Sequence, residues 1–187
     1  MSTSFPGIEQ NLIGASIGVQ QITPPVFLGG FALTANANAF PTLFIPPYNG
    51  LWVFINVTGY AGTDVVSLRF NGDSGTNYWD RTLTVAAGTV TPIVDTNTVS
   101  TTLIRMGKPI NKGRQVFAQI GNFATRSKVV QVMNQFGSGA AGTVADTTIG
   151  SAGEWVNTTA QIIQIDCLTA GATNVISGSS IMVFGVL

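Results

Sequence analysis

Any chemistry in this chain has to come from carboxylates, cations, one thiol and three tryptophans, because it contains no histidine. Without imidazole, Ser-His-Asp and Cys-His catalysis, histidine general bases and histidine-ligated zinc all drop out. The single thiol, Cys167, lies in IIQIDCLTA beside an aspartate. A reactive thiolate needs a positive neighbour, so Cys167 reads as a small core residue. Among eight carboxylates, Asp73, Asp80 and Glu154 suffice in number for a glycosidase pair. Nothing in their spacing marks two of them as partners, and turn or rim positions explain them better. NGDSGTN at 71–77 has the composition of a calcium loop but lacks its D-x-[DN]-x-[DN]-G spacing and closing Glu. No Gly-rich phosphate loop leads into a helix. The expectation is a protein that is not an enzyme, with no catalytic residue, no metal and no cofactor.

The cations are unevenly placed. Arg105, Lys108, Lys112, Arg114, Arg126 and Lys128 are six of the eight, and no acid interrupts them between Asp95 and Asp146. The first four form a block that reads as solvated loop and strand ends, or as a contact for an acidic protein surface. Nucleic acid is not an expected partner: net charge is zero, the isoelectric point is about 6.1, and no RNA-binding aromatic motif occurs. Trp52 lies in an apolar run and reads as core. Trp79 and Trp155 sit beside polar residues and read as rim, where with Asp80 and Glu154 they would offer a sugar a stacking surface.

The elements that must position these groups read as β throughout. Runs rich in β-branched and aromatic residues occur at 26–34, 51–58, 65–70, 78–85, 99–106, 115–123, 127–136, 159–168 and 179–187, separated by Gly, Pro, Asn and Asp. Val116, Ala118 and Ile120 alternate with Gln115, Phe117 and Gln119; Ile163, Ile165 and Cys167 alternate with Ile162, Gln164 and Asp166. No window has convincing helical periodicity. Nine short strands without intervening helices predict an all-β fold, an antiparallel β-sandwich of jelly-roll type. The last run is apolar on both faces, Ile181 and Val183 on one and Met182, Phe184 and Val186 on the other, which predicts burial at a subunit interface. Segment 137–153, GSGAAGTVADTTIGSAG, reads as a long exposed loop.

Residues 1–25 read as an N-terminal arm ahead of a sandwich domain at 26–187. They carry Phe5, Ile8, Leu12 and Ile13 as candidate anchors on a partner, and close on Pro24-Pro25. They hold no Lys or Arg, so no charged leader of a signal peptide is expected. No run of 18 apolar residues occurs, so no membrane-spanning helix is expected. A lone cysteine fits synthesis in a reducing cytoplasm. Charged residues make up 9% of the 187, against a typical quarter, so the polar surface is mostly uncharged. Such a surface suits subunits packed at high density.

The run LRFNGDSGTNYWDRTL at 68–83, read as a strand, a connection and a returning strand, with a β segment through Ile162–Leu168 and the close SGSSIMVFGVL at 177–187, resembles small bacteriophage virion proteins of the capsid decoration (cement) type. The resemblance covers roughly residues 50–187. It implies a jelly-roll sandwich working as a homotrimer on the virion, bound to the major capsid protein and made in the host cytoplasm. In that setting the arm would clamp the shell, and the basic block Arg105, Lys108, Lys112 and Arg114 would meet acidic shell groups. Related sandwiches in tails and fibres imply an alternative, a module binding host-surface glycans through Trp79, Trp155, Asp80 and Glu154.

Overall fold

The computed structural model describes residues 24–86, 89–94, 98–107, 110–136 and 149–187. Among them there is no helix, and every strand pairing is antiparallel. The larger sheet runs, in spatial order, β1 (Val26–Ala32), β13 (Ser180–Val186), β3 (Gly50–Asp64), β9 (Ile110–Gly121), β10 (Lys128–Phe136), β11 (Ile149–Trp155), β5 (Tyr78–Ala86) and β6 (Thr89–Val94), with β7 (Thr98–Thr101) also paired to β5. The smaller sheet runs β2 (Leu43–Phe44), β12 (Gln164–Thr169), β4 (Val66–Phe70) and β8 (Ile104–Arg105). Their inner faces share one core: Leu51, Val53 and Val183 from the larger sheet pack in the same cluster as Leu68, Ile165 and Cys167 from the smaller. The fold is an all-β sandwich.

Period-two patterning decides which residues enter that core. In β9, Val116, Ala118 and Ile120 are buried while Gln115 and Gln119 are exposed, as the alternation predicts. In β13, Ile181 and Val183 are buried, whereas Met182 is 43% exposed and Phe184 and Val186 are half-buried on the outside. Ile165 and Cys167 point inward as expected. Ile163 lies just before β12 and is exposed, so the alternation does not extend back to it.

Two expectations are corrected. The strand after NGDSGTN does not return beside the one before it: β4 belongs to the smaller sheet and β5 to the larger. Asn71 (φ 52°) and Gly72 (φ 66°) both take left-handed backbone, which Asn and Gly tolerate best. The Asn71 side chain also accepts from the N–H groups of Ile163 and Gln164 and donates to the carbonyl of Gln161. The turn is thereby tied to the start of β12 while the chain crosses to the other sheet. Second, the segment read as a loop at 137–153 contributes its last residues to β11, a strand held between β10 and β5; residues 137–148 lie outside the described ones. Gly153 has a packing reason. A Cβ on Gly153 would lie 2.5 Å from the Ile104 side chain and 3.0 Å from the Trp79 carbonyl, so only glycine lets β8 press onto β11.

Candidate functional site

Among the described residues, Asp64, Asp73, Asp80 and Asp166 are spent on holding the chain together. Asp80 on β5 is 2% exposed and binds Arg105 on β8: one oxygen accepts from the Arg105 backbone N–H at 2.9 Å and from Nε at 2.8 Å, the other from Nη2 at 3.2 Å. Asp64 is also buried and accepts from the backbone N–H groups of Val65, Gly171 and Thr173. Asp166 accepts from Thr42 and Gln164. Glu154 stands across from Trp79 on the outer side of the larger sheet.

Asp73 organises the connection from β4 to β5. It accepts from the Gly75 N–H, from the Asn77 amide and, at 2.7 Å, from the Trp155 indole N–H. These donors fill the carboxylate that a metal loop would leave for a cation. Burial pushes its pKa up, but the hydrogen bonds from Trp155, Asn77 and Gly75, helped by Arg69, outweigh burial and hold it below the ordinary 3.8. A depressed carboxylate pKa adds stability that is present above the unfolded-state value and is lost as pH falls through the folded-state value. Asp73→Asn is therefore expected to flatten the acid limb of a melting-temperature profile below about pH 4. Thermal melts of both proteins from acid to neutral pH check this, and parallel curves would assign the acid limb to other groups.

The basic block does not form one surface. Arg114 is buried rather than solvated: its guanidinium donates to the Met106 carbonyl and lies 5.8 Å from the Tyr60 ring centre. Burial pulls its pKa down to about 10, with Tyr60 opposing the fall. Lys128 is buried too, donating to the carbonyls of Arg126 and Asn157 over the Trp155 ring, and burial lowers its pKa. The charge of Arg105 is engaged by Asp80. Lys112 and Arg126 are exposed, but one sits near the start of β9 and the other beyond its end, about 30 Å apart at ~3.4 Å per residue. Lys108 lies outside the described residues, as do the arm residues Phe5, Ile8, Leu12 and Ile13.

The glycan rim is not assembled either. Trp155 and Asp80 are core, which leaves Trp79, 48% exposed, with Glu154. Trp155 packs between Phe70 and Tyr78, with ring centres 5.8 and 6.3 Å away. Cys167 is buried, which pushes its thiol pKa up and leaves it inert.

The sequence reading anticipated only the β13 part of the apolar outer face of the larger sheet, at Met182, Phe184 and Val186, and missed its extension over the neighbouring strands. Trp52, expected in the core, faces outward and is half-buried, as is Phe54, because Leu51, Val53 and Ile55 take the inward positions of β3. Cross-strand register sets Phe27, Phe184, Trp52, Gln119 and Gln131 in one row over β1, β13, β3, β9 and β10. The adjacent row is Gly30, Met182, Phe54, Phe117 and Met133. The rings touch: Phe54 stacks on Phe117 at 4.7 Å, and Phe184 meets both Phe27 and Phe54 edge-on. Neither row carries a charge. The outer side of the smaller sheet is different, with Arg69, Asp166, Gln164 and Thr42.

Beside the first row a groove of about 390 Å³ opens over Gly50 and Gly121, which face each other across β3 and β9. Its walls are Trp52, Val129, Val186, Gln119 and Gln131. An uncharged aromatic face with a glycine-floored groove has no reactive group; what it can do is exclude water against another apolar surface. Comparison of the chain with family models, with curated proteins and with solved structures finds no match in any of the three.

Proposed function

We propose that this chain is a non-enzymatic structural protein of a bacteriophage virion, a capsid decoration (cement) protein that binds the outer shell as a homotrimer and stabilises it. The observation that carries the reading is the charge-free pair of aromatic rows over β1, β13, β3, β9 and β10, a surface that suits packing on protein. The virion assignment itself rests on the likeness of residues 68–83 and 177–187 to small phage structural proteins.

The strand order supports a jelly roll within the sandwich. A jelly roll is an antiparallel ribbon of eight strands wrapped into two sheets, so its first strand pairs with its eighth, second with seventh, third with sixth and fourth with fifth. Setting aside β5 to β7 and β10 to β11 as insertions leaves eight strands. Their ribbon pairs are β1 with β13, β2 with β12, β3 with β9 and β4 with β8. The wrap closes through β13 on β3 and β12 on β4. On this reading the insertions widen only the sheet that bears the aromatic face.

A threefold protein seated where capsid subunits meet touches several copies of the major capsid protein at once. Tying modest contacts together raises avidity by about 10² to 10⁴ without any new contact. The bonds exist only on the assembled lattice, so they oppose rupture of the shell by packaged DNA. The arm at 1–25 and the exposed Lys112 are the shell contacts in this scheme. The test is the copy number per purified particle, measured by quantitative mass spectrometry against the major capsid protein. A ratio approaching one per shell subunit is expected. A few copies per particle would move the chain to a tail or fibre, and absence from the particle would overturn the virion reading.

A further inference from the structure

The aromatic face has a projection and a recess in different places, and that asymmetry says how copies of this chain fit together. At one end of the first row Phe27, on edge strand β1, is 59% exposed. Between the third and fourth strands of the sheet, β3 and β9, is the groove over Gly50 and Gly121; its far wall residue Val129, on β10, is 58% exposed. At about 4.8 Å per strand, the Phe27 ring is roughly 12 Å from the groove floor and roughly 19 Å from Val129, too far to fill the groove of its own chain. A Cβ at Gly121 would find nothing within 4 Å, so the groove floor is open.

We infer that the face packs on a second copy of this chain head to tail, the β1 and β13 half of one copy against the β3, β9 and β10 half of the next, with Phe27 seated in the neighbour's groove against Trp52. A twofold contact would seat each Phe27 in the other copy's groove and close as a dimer; the same contact repeated head to tail around a threefold axis closes as a ring, and the homotrimer reading selects the ring. Three sheets turned inward around one axis let each copy offer Phe27 to one neighbour and its groove to the other. The assignment rests on the homotrimer reading above and adds to it the face and the pairing.

Size and chemistry agree with a second copy as the occupant. Five strands by about 20 Å of strand length give a patch of roughly 500 Å², at the upper end of what monomers leave exposed. Two partners each contributing that much approach the ~1,000 Å² of a specific interface. Gln119 and Gln131 are the polar groups of the first row and neither row holds a charge to strand when copies meet; Glu154, paired with Val129 across β10 and β11, is half-buried beyond the far wall of the groove. An acidic shell surface would find no cation here. The edge strand adds to this: β1, VFLGGFA, has none of the charges or prolines that keep exposed edges apart.

The test uses the full chain and light scattering coupled to size exclusion. Wild type is expected at three times the 19.5 kDa of the chain. Phe27→Glu alone and Val129→Lys alone should each raise the dissociation constant at least about 100-fold. The double variant should recover at least about tenfold, because the new charges meet across the interface, while their distance within one chain exceeds the Debye length at physiological salt. Ile163→Glu, at an exposed position next to the smaller sheet, should leave the mass unchanged, and near-ultraviolet circular dichroism should show all four proteins folded. A trimer untouched by either single variant overturns the face while leaving the homotrimer standing. Loss without recovery in the double variant overturns the pairing of Phe27 with the groove. A wild-type monomer or dimer overturns the homotrimer and this packing with it.

Discussion

Replacing Trp155 with alanine is expected to lower the free energy of unfolding by about 4–5 kcal/mol. Truncating a fully buried aromatic costs about 3–5 kcal/mol through lost transfer energy and the cavity left behind. Trp155 is 1% exposed and fills the space between Phe70, Tyr78 and the Lys128 ammonium, so the site has little freedom to collapse. Its indole N–H also donates to Asp73, and the lost charge-assisted bond adds about 1 kcal/mol or more. Against a total stability of about 5–15 kcal/mol, this leaves the variant marginal. For a domain of this size the melting temperature should fall by roughly 10–20 °C. Trp155→Phe keeps most of the packing and should fall by less than half as much. Urea titrations of the three proteins decide it: a loss below about 2 kcal/mol for the alanine variant would mean that the ring is not a core element.

Trp155 also shows what was legible in the sequence and what was not. Its neighbours Glu154 and Asn157 are polar, and on composition it reads as rim. The strand that holds it, IGSAGEW, has no β-branched run and too much glycine to announce itself. The physical reason lies outside the local sequence: Gly153 is there to admit Ile104 from another strand. Only once β11 is known does alternation place Ser151, Gly153 and Trp155 inward.

Where a strand was recognisable, alternation held more than was drawn from it. Arg114 shares the parity of Val116 and Ala118, and Lys128 that of Val130 and Val132, so both cations belonged on the inner face. Their charge suggested a solvated patch; burial, carbonyl acceptors and aromatic rings accommodate them instead. Alternation failed at β3 for the opposite reason. Leu51, Val53 and Ile55 alternate with Trp52 and Phe54, and with both sets apolar, parity cannot choose the inner one. The aliphatic set fits between the two sheets, which leaves the aromatics outside. That choice puts Trp52 and Phe54 into the aromatic rows on which the proposed packing depends.

The ion pair between Asp80 and Arg105 separates two uses of the same arginine. If Arg105 served an acidic partner, Arg105→Ala would leave stability unchanged and weaken binding to particles. The structure predicts the reverse order. The Asp80 side chain is fully buried while that of Arg105 is 26% exposed, so removing the arginine strands a carboxylate that has no route to water. Breaking a buried pair in this way costs about 3–5 kcal/mol. Asp80→Ala should be similar, because it takes the same carboxylate acceptor from both the Arg105 backbone N–H and its guanidinium. The double variant should cost no more than either single one, giving a coupling energy of about 3 kcal/mol or more in a double-mutant cycle. Denaturant titration of the four proteins measures this, and additive losses would show that the pair contributes nothing as a pair. A large coupling has a functional corollary. Asp80 and Arg105 join β5 of the larger sheet to β8 of the smaller, so the pair clasps the sandwich at its widened end. Loosening it frees β5 and β11 from β8 without touching Phe27 or the Gly50–Gly121 groove, which lie on the far strands of the same sheet. Arg105→Ala should therefore unfold more readily yet assemble with the wild-type mass, and that combination would distinguish a residue that holds the scaffold from one that recognises a partner.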